Sequence, residues 1–369
     1  MFHKIWVRNS VAIAAVLILI AIGTLFYLNA VSVANQRRIE DYRQQVGANS
    51  AAELWARSIE QRDPRLFGLH DGGFPGGVQF LEDTEQARRT EQVEGDAISI
   101  TTTQLYQLLS ILRDSPAAQV PGIVDFNTSR PANFQQLRSI IFACCQSQEK
   151  STGTETGTTT GTAMKEQQER WLIGVELAES LTAGGFIIDE LKRFALLQTL
   201  LERGMSLIES ADLDFLENGA VTLARVASPE DGIARALQIE TLVVMDLEEW
   251  QASPFTSSLD LRWYLDQQIP LSLDPSTETL QALSVEEPPV YALLSSVVLP
   301  LFDSIIEKSN QMSARLRAVR CAFEATAAQL RGVEWTPPTG VELLPSTAGG
   351  AARIHVIGSS VATDVYLPK

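Results

Sequence analysis

The chain has 369 residues, 45 of them Asp or Glu against 29 Lys or Arg, for a net charge of −16. The first 34 residues hold two basic and no acidic side chains, so residues 35–369 carry −18. Such acidity repels nucleic-acid phosphates and anionic headgroups, which excludes nucleic acid as an expected partner and keeps a large extramembrane domain soluble.

Val11 to Leu28, VAIAAVLILIAIGTLFYL, holds eighteen residues without a charge, eleven of them Val, Ile, Leu or Phe. At ~1.5 Å rise per residue a helix of this length reaches about 27 Å, close to the thickness of a bilayer's hydrocarbon core. Eleven such side chains favour insertion by roughly 3–6 kcal/mol. Lys4 and Arg8 precede the run, and Arg37, Arg38 and Arg43 follow it. The short basic leader places Met1 inside and exports residues 35–369, although the Lys/Arg counts on the two sides are nearly balanced. A small-x-small site at Ser32-Val33-Ala34 permits cleavage after Ala34, but the run exceeds the ~7–15 residues of a removable signal. Residues 1–34 are therefore expected to form a cytoplasmic leader and an uncleaved signal anchor. The chain is then a single-pass protein of the inner (cytoplasmic) membrane, held there by residues 11–28.

Residues 35–130 read as juxtamembrane helices and loops. Ile39, Tyr42 and Val46 share a helical face, as do Ala51, Leu54 and Ile59, with a break near Gly47 and a stop at Pro64. His70 to Gly77, HDGGFPGG, lacks the strand before and the helix after that a phosphate cradle needs, and reads as a surface loop. Leu105 to Leu112 gives a short helix.

Residues 131–332 read as a helical domain. Phe134, Leu137, Ile140 and Ile141 carry helical spacing into Cys144. Ser151 to Thr162, STGTETGTTTGT, has no apolar residue to bury and is expected to be a flexible insertion in a helical hairpin. Ile173, Leu177 and Leu181 form one stripe, and Ile187, Leu191, Phe194, Leu197 and Leu201 another, closed at Gly204. Ser210 caps the next helix, with Asp212 and Asp214 placed for its dipole. Ser228-Pro229-Glu230-Asp231 starts another that buries Ile233, Leu237, Val244 and Leu247. After a Pro-interrupted stretch, 254–289, a last helix is expected from about Val290 to Leu330, kinked at Pro300, with Leu316, Val319, Phe323 and Leu330 on its buried stripe. Residues 333–369 form a small β tail, a hairpin of 352–357 and 361–367 joined at Gly358-Ser359-Ser360. The fold class is thus mainly α: an N-terminal transmembrane helix, an antiparallel helical-hairpin domain and a small C-terminal β-hairpin.

The run from Trp171 through Leu247, followed by a long helix and a short β tail, resembles an uncharacterised group of bacterial single-pass membrane proteins with a helical extramembrane region and a pseudopilin-like end. The resemblance implies this architecture and a bacterial envelope setting; it implies no chemistry.

Catalytic signals fail one by one. The three histidines are His3, His70 and His355, and the last alternates with Ile354 and Val356 on an expected solvent face. Ser147-Gln148-Glu149-Lys150 has the SxxK spacing of serine β-lactamases, but neither SDN nor KTG follows. Asp212, Asp214 and Glu217 gather carboxylates, yet Leu216 and Glu217 stand where a calcium loop needs an oxygen ligand and a glycine. Glu248-Glu249 and Glu286-Glu287 read as solvated surface. Cys144, Cys145 and Cys321 form no metal spacing; they read as core residues, with a bond from Cys144 or Cys145 to Cys321 as the alternative. No catalytic, cofactor-binding or metal residue is expected. The expected function is a membrane-tethered scaffold or interaction module of the bacterial envelope with an envelope protein partner; the alternative is an exported envelope hydrolase whose active site carries no recognisable motif.

Overall fold

A computed structural model describes residues 2–60, 102–114, 134–145, 159–179, 185–247, 250, 257–283, 289, 292, 302–344, 352–357 and 365–367. The expected loop at 70–77, the Ser147–Lys150 motif, Pro300 and the Glu248-Glu249 and Glu286-Glu287 pairs lie outside them. Among the described residues the protein is mainly helical, with one small antiparallel sheet.

Helix α1 (Phe2–Val46) is continuous from before the apolar run to Gly47, whose φ of +68° breaks it. Among the described residues it is the one helix long and apolar enough to cross a membrane. The large apolar side chains from Val16 to Tyr27 are 45–73 % exposed, so the domain does not use them as core. From Leu28 onward the same helix changes character. Leu28, Val31, Asn35, Ile39 and Tyr42 are buried at steps of three and four, the stripe of a helix lying against protein. They face α9 (Ser257–Leu273). Asn35 Nδ2 donates to the Ser258 carbonyl at 2.8 Å, and Arg38 and Arg43 pair with Asp266 and Asp246 at 2.7 Å each. Helix α2 (Ala51–Glu60) follows the turn and sets Trp55 edge-on to Phe186, 6.1 Å between centroids.

Helices α3 (Thr102–Asp114), α4 (Phe134–Cys145) and α5 (Thr159–Glu179) come next. Helix α5 begins inside the expected Thr/Gly loop, so Thr159–Thr162 are helical rather than flexible. Its start is held by contacts further along: Met164 meets Ser210 and Lys165 pairs with Asp212. Helix α6 (Ile187–Ile208) runs through Gly204 instead of ending there. The glycine serves packing: a Cβ at 204 would sit 2.7 Å from the Trp171 ring, whose Nε1 donates to the Leu200 carbonyl at 2.7 Å. Helix α7 (Leu213–Arg225) is capped by Asp212, not Ser210, because the Asp212 carboxylate accepts from Phe215 N at 2.9 Å. Helix α8 (Pro229–Met245) has the expected Ser228 cap and first-turn Pro229.

Helix α9 occupies what reads in sequence as a Pro-interrupted stretch. Pro270 lies in its last turn, where Leu261, Tyr264, Leu265 and Gln268 have already committed a buried face. A short α10 (Thr277–Leu283) follows. Helix α11 is described over Phe302–Arg331; upstream, Ala292 is non-helical and its N–H bonds back to Pro289, so the expected helix is not continuous through 292. Leu316, Val319 and Phe323 are buried as expected, but Leu330 is exposed. The helix ends at Gly332, φ +69°, where N–H groups of Gly332 and Val333 return to the carbonyls of Gln329 and Ala328. The tail pairs β2 (Arg353–Val356) with β3 (Val365–Tyr366) antiparallel, as expected, and adds β1 (Val341–Leu344) on the other side of β2, giving a three-stranded antiparallel sheet in the order β1-β2-β3. Glu342 faces His355 across β1 and β2. Val341, Ile354 and Val356 point into the core, where β2 packs on α11.

Two apolar cores result. Among the described residues the larger joins α3 to α8, α11 and the sheet around Trp171, Phe215 and Phe323. The Trp171 and Phe323 rings stack at 5.2 Å and 12°, and Phe215 meets both edge-on at 5.6 Å. The second joins residues 39–55 to the C-terminal part of α8 and to α9.

Candidate functional site

Three polar sites stand out against this apolar framework. The first lies between α5, α6 and α8. Arg193, completely buried, donates through Nε and Nη2 to Glu190 Oε2 at 3.0 and 2.9 Å, and through Nη1 to Glu179 Oε1 at 2.9 Å and the Ala227 carbonyl at 3.0 Å. Glu179 in turn accepts from Ala227 N at 2.9 Å. Burial alone would lower the Arg193 pKa, but the two carboxylates outweigh it and hold the guanidinium charged. Gly232 admits the pair: a Cβ there would lie 2.5 Å from Glu190 Oε2. The guanidinium ties the end of α5 to the α7–α8 turn; four of its five N–H donors are taken and the group is completely buried, so it is out of a substrate's reach.

The second site is the seam of α1, α8 and α9. Gln268 Nε2 donates to Thr241 Oγ1 at 3.0 Å, and Thr241 donates to the Leu237 carbonyl at 2.6 Å. Burial pushes the Tyr42 hydroxyl up to about 12, partly offset by the hydroxyls of Ser272 and Thr241, and raises Tyr264 well above its ordinary value. Glu240 accepts from Ile187 N at 2.8 Å. Burial raises its carboxyl to about 7 and Asp189 adds to the rise, while that hydrogen bond opposes it.

The third is a cavity of about 300 Å³ where the end of α7, the start of α8 and the middle of α11 meet. Leu223, Val226 and Leu316 give it apolar walls, and Ser313, Arg317 and Arg320 line it from one face of α11. Arg320 Nε lies 3.2 Å from Glu324 Oε1 in an ion pair and is buried without a hydrogen bond. Arg317 donates to the Thr339 carbonyl and, among the described residues, makes no ion pair.

Among the described residues, those weighed in sequence for chemistry do not assemble. His70, Ser147 and Lys150 lie outside the described residues; His355 is half-buried in β2. Asp212 caps a helix and Asp214 is exposed, as an acid-rich helix start requires. Among the described residues no group of three His, Cys, Asp or Glu is arranged to hold a metal. Cys144, Cys145 and Cys321 are free thiols; burial pushes Cys144 up to about 12 and Cys145 and Cys321 up to about 11, which makes all three poor nucleophiles. Sequence reasoning missed Arg193, Arg317 and Arg320. Arg193 sits one turn before Leu196 and Leu197 on a buried face, and a charge there is the signal that was there to read; Arg317 and Arg320 lie on the polar side of α11 with Ser313 and Glu324 and give no such signal. The chain matches no protein-family model, no curated protein and no solved structure.

Proposed function

We propose that the protein is a single-pass, signal-anchored scaffold: Met1 faces the cytoplasm, residues 11–28 span the membrane, and the acidic helical domain holds an envelope protein partner on the exported side. The observation that carries this reading is the unbroken α1. Its exposed apolar half passes, without a linker, into a half docked on α9 through Val31, Asn35, Ile39 and Tyr42. A flexible tether would only confine the domain near the membrane; a docked helix also fixes which face it presents. The same geometry supports retention of the anchor. Cleavage after Ala34 would cut inside the helix, between the buried Val31 and the buried Asn35, and would remove part of the docked face. The completely buried Arg193 fork and the poorly nucleophilic thiols support a binding role over turnover.

Topology is tested by reporters fused after residue 369 and by N-terminal sequencing of the membrane-bound protein. An exported reporter should be active and Met1, or the residue after it, retained; a cytoplasmic reporter active instead sinks the topology. Crosslinking in cells from exposed positions on α11, such as Glu307 and Lys308, should capture one partner reproducibly. Hydrolase activity that disappears on changing His70 or Ser147, with no crosslinked partner, would overturn the scaffold reading in favour of an enzyme.

A further inference from the structure

We propose that the cavity between α7, α8 and α11 binds the C-terminal carboxylate of a partner polypeptide whose last side chain is apolar. The proposal rests on the scaffold reading and names how the partner is held. The cavity is about 300 Å³, at the lower end of the ~300–1,000 Å³ usual for ligand sites, so it admits the end of a chain rather than a helix or a domain.

Charge gives the chemistry. In a chain of net charge −16, this cavity is lined by two arginines and by no acidic residue. Arg320 is neutralised by Glu324, but Arg317 makes no ion pair among the described residues; a neutral carbonyl, Thr339 O, holds its Nη2. The turn at Thr339-Gly340 backs the same guanidinium: a Cβ at Gly340 would lie 3.4 Å from Nη1. Arg317 is thus fixed from one side, and its remaining donors and its uncompensated charge are left to the cavity. Among the described residues this leaves one positive charge without a partner, which matches one carboxylate, and a guanidinium can grip it with two parallel N–H bonds. Ser313, one turn before Arg317 on the same helix face, adds a hydroxyl. A polyanion is disfavoured because the exposed Glu230 and Asp231 come next in the chain after Ser228 and Pro229, which line the cavity. Leu223, Val226 and Leu316 beside the arginines place apolar wall next to the carboxylate position, the pairing that a C-terminal aliphatic or aromatic residue presents and an internal Asp or Glu does not.

The test uses the full-length protein in nanodiscs and four fluorescein-labelled pentapeptides ending in leucine, isoleucine, valine or phenylalanine, each as free acid and as C-terminal amide. At least one free acid should bind saturably by anisotropy, about tenfold or more tighter than its amide. Arg317→Ala should abolish that difference. Ser313→Glu should do so as well while leaving the Arg317–Thr339 contact in place, so a Ser313→Glu protein with an unchanged melting curve separates loss of the site from loss of fold. Arg331→Ala, at a surface pair with Glu217, should leave binding unchanged. Equal binding of acids and amides, or no binding of any peptide, overturns the proposal. So does 4-methylpentanoate competing as tightly as the peptide binds, which would make the cavity a site for a small free carboxylate. A partner crosslinked in cells together with no peptide binding refutes the carboxylate site and leaves the scaffold standing.

Discussion

Gly219 on α7 faces the ring of Phe323, and changing it to alanine tests how tightly the aromatic cluster is packed. A Cβ at 219 would lie 2.3 Å from Cε1 and 2.5 Å from Cδ1 of that ring, far inside contact distance. The ring has nowhere to go: it is fully buried, stacked on Trp171 and abutted by Phe215. Within a helix the change from glycine to alanine alone would stabilise by about 1 kcal/mol. Forcing a methyl into a packed core costs about 1–3 kcal/mol, and an immobile ring puts this site at the upper end. Gly219→Ala should therefore destabilise by about 1–2 kcal/mol. Phe323→Leu removes the clashing ring carbons and should itself cost about 1–2 kcal/mol through lost aromatic contacts. In the double variant the clash is gone and the helix preference remains, so Gly219→Ala should turn neutral or stabilising there, a coupling of roughly 1–3 kcal/mol. Urea unfolding of the four proteins in detergent, followed by helical circular dichroism, measures each value. Effects that add to within about 0.5 kcal/mol, or a stabilising Gly219→Ala alone, would refute the packing argument.

Arg193→Met should destabilise by about 3–5 kcal/mol in the same assay, because it leaves the buried Glu190 without its counter-charge; a loss below about 1 kcal/mol would show that Glu190 finds water or takes a proton easily. Glu240 has a folded pKa of about 7 against an ordinary 4.5, so the folded state binds its proton more tightly. Its contribution is then present below pH 4.5 and lost as pH rises through about 7. Glu240→Gln keeps the acceptor for Ile187 N and should flatten stability against pH across that window and raise it above pH 7; an unchanged profile counts against the assignment. Iodoacetamide should modify Cys145 first, since it is only half-buried, and Cys144 and Cys321 only after unfolding. A Cys321 that stays protected after unfolding until reductant is added would reveal a disulfide instead.

The local features of this chain were legible as sequence. The charge-free run from Val11 to Leu28, the Ser228-Pro229 start and the stripes through Leu197 and Phe323 each depend on residues a turn or two apart, so periodicity and capping chemistry specify them without help. Where distant residues compete, local rules misled. Gly204 looks like a stop and is a landing for Trp171, 33 positions earlier in the chain. Ser210 and Asp212 are both good caps; the Ser210 hydroxyl turns to Met164, 46 positions earlier, and the Asp212 carboxylate accepts from Phe215 N. Pro270 reads as a breaker, but the buried residues before it hold α9 together through contacts with α1 and α8. The polar sites depend on distance most of all. Glu179 reaches Arg193, 14 positions away, Arg317 meets Thr339, and the cavity is lined by three helices, none of which encodes it alone. An interaction between residues far apart in sequence exists only once the loops between them have closed, which is why helices could be read from the sequence and the sites could not.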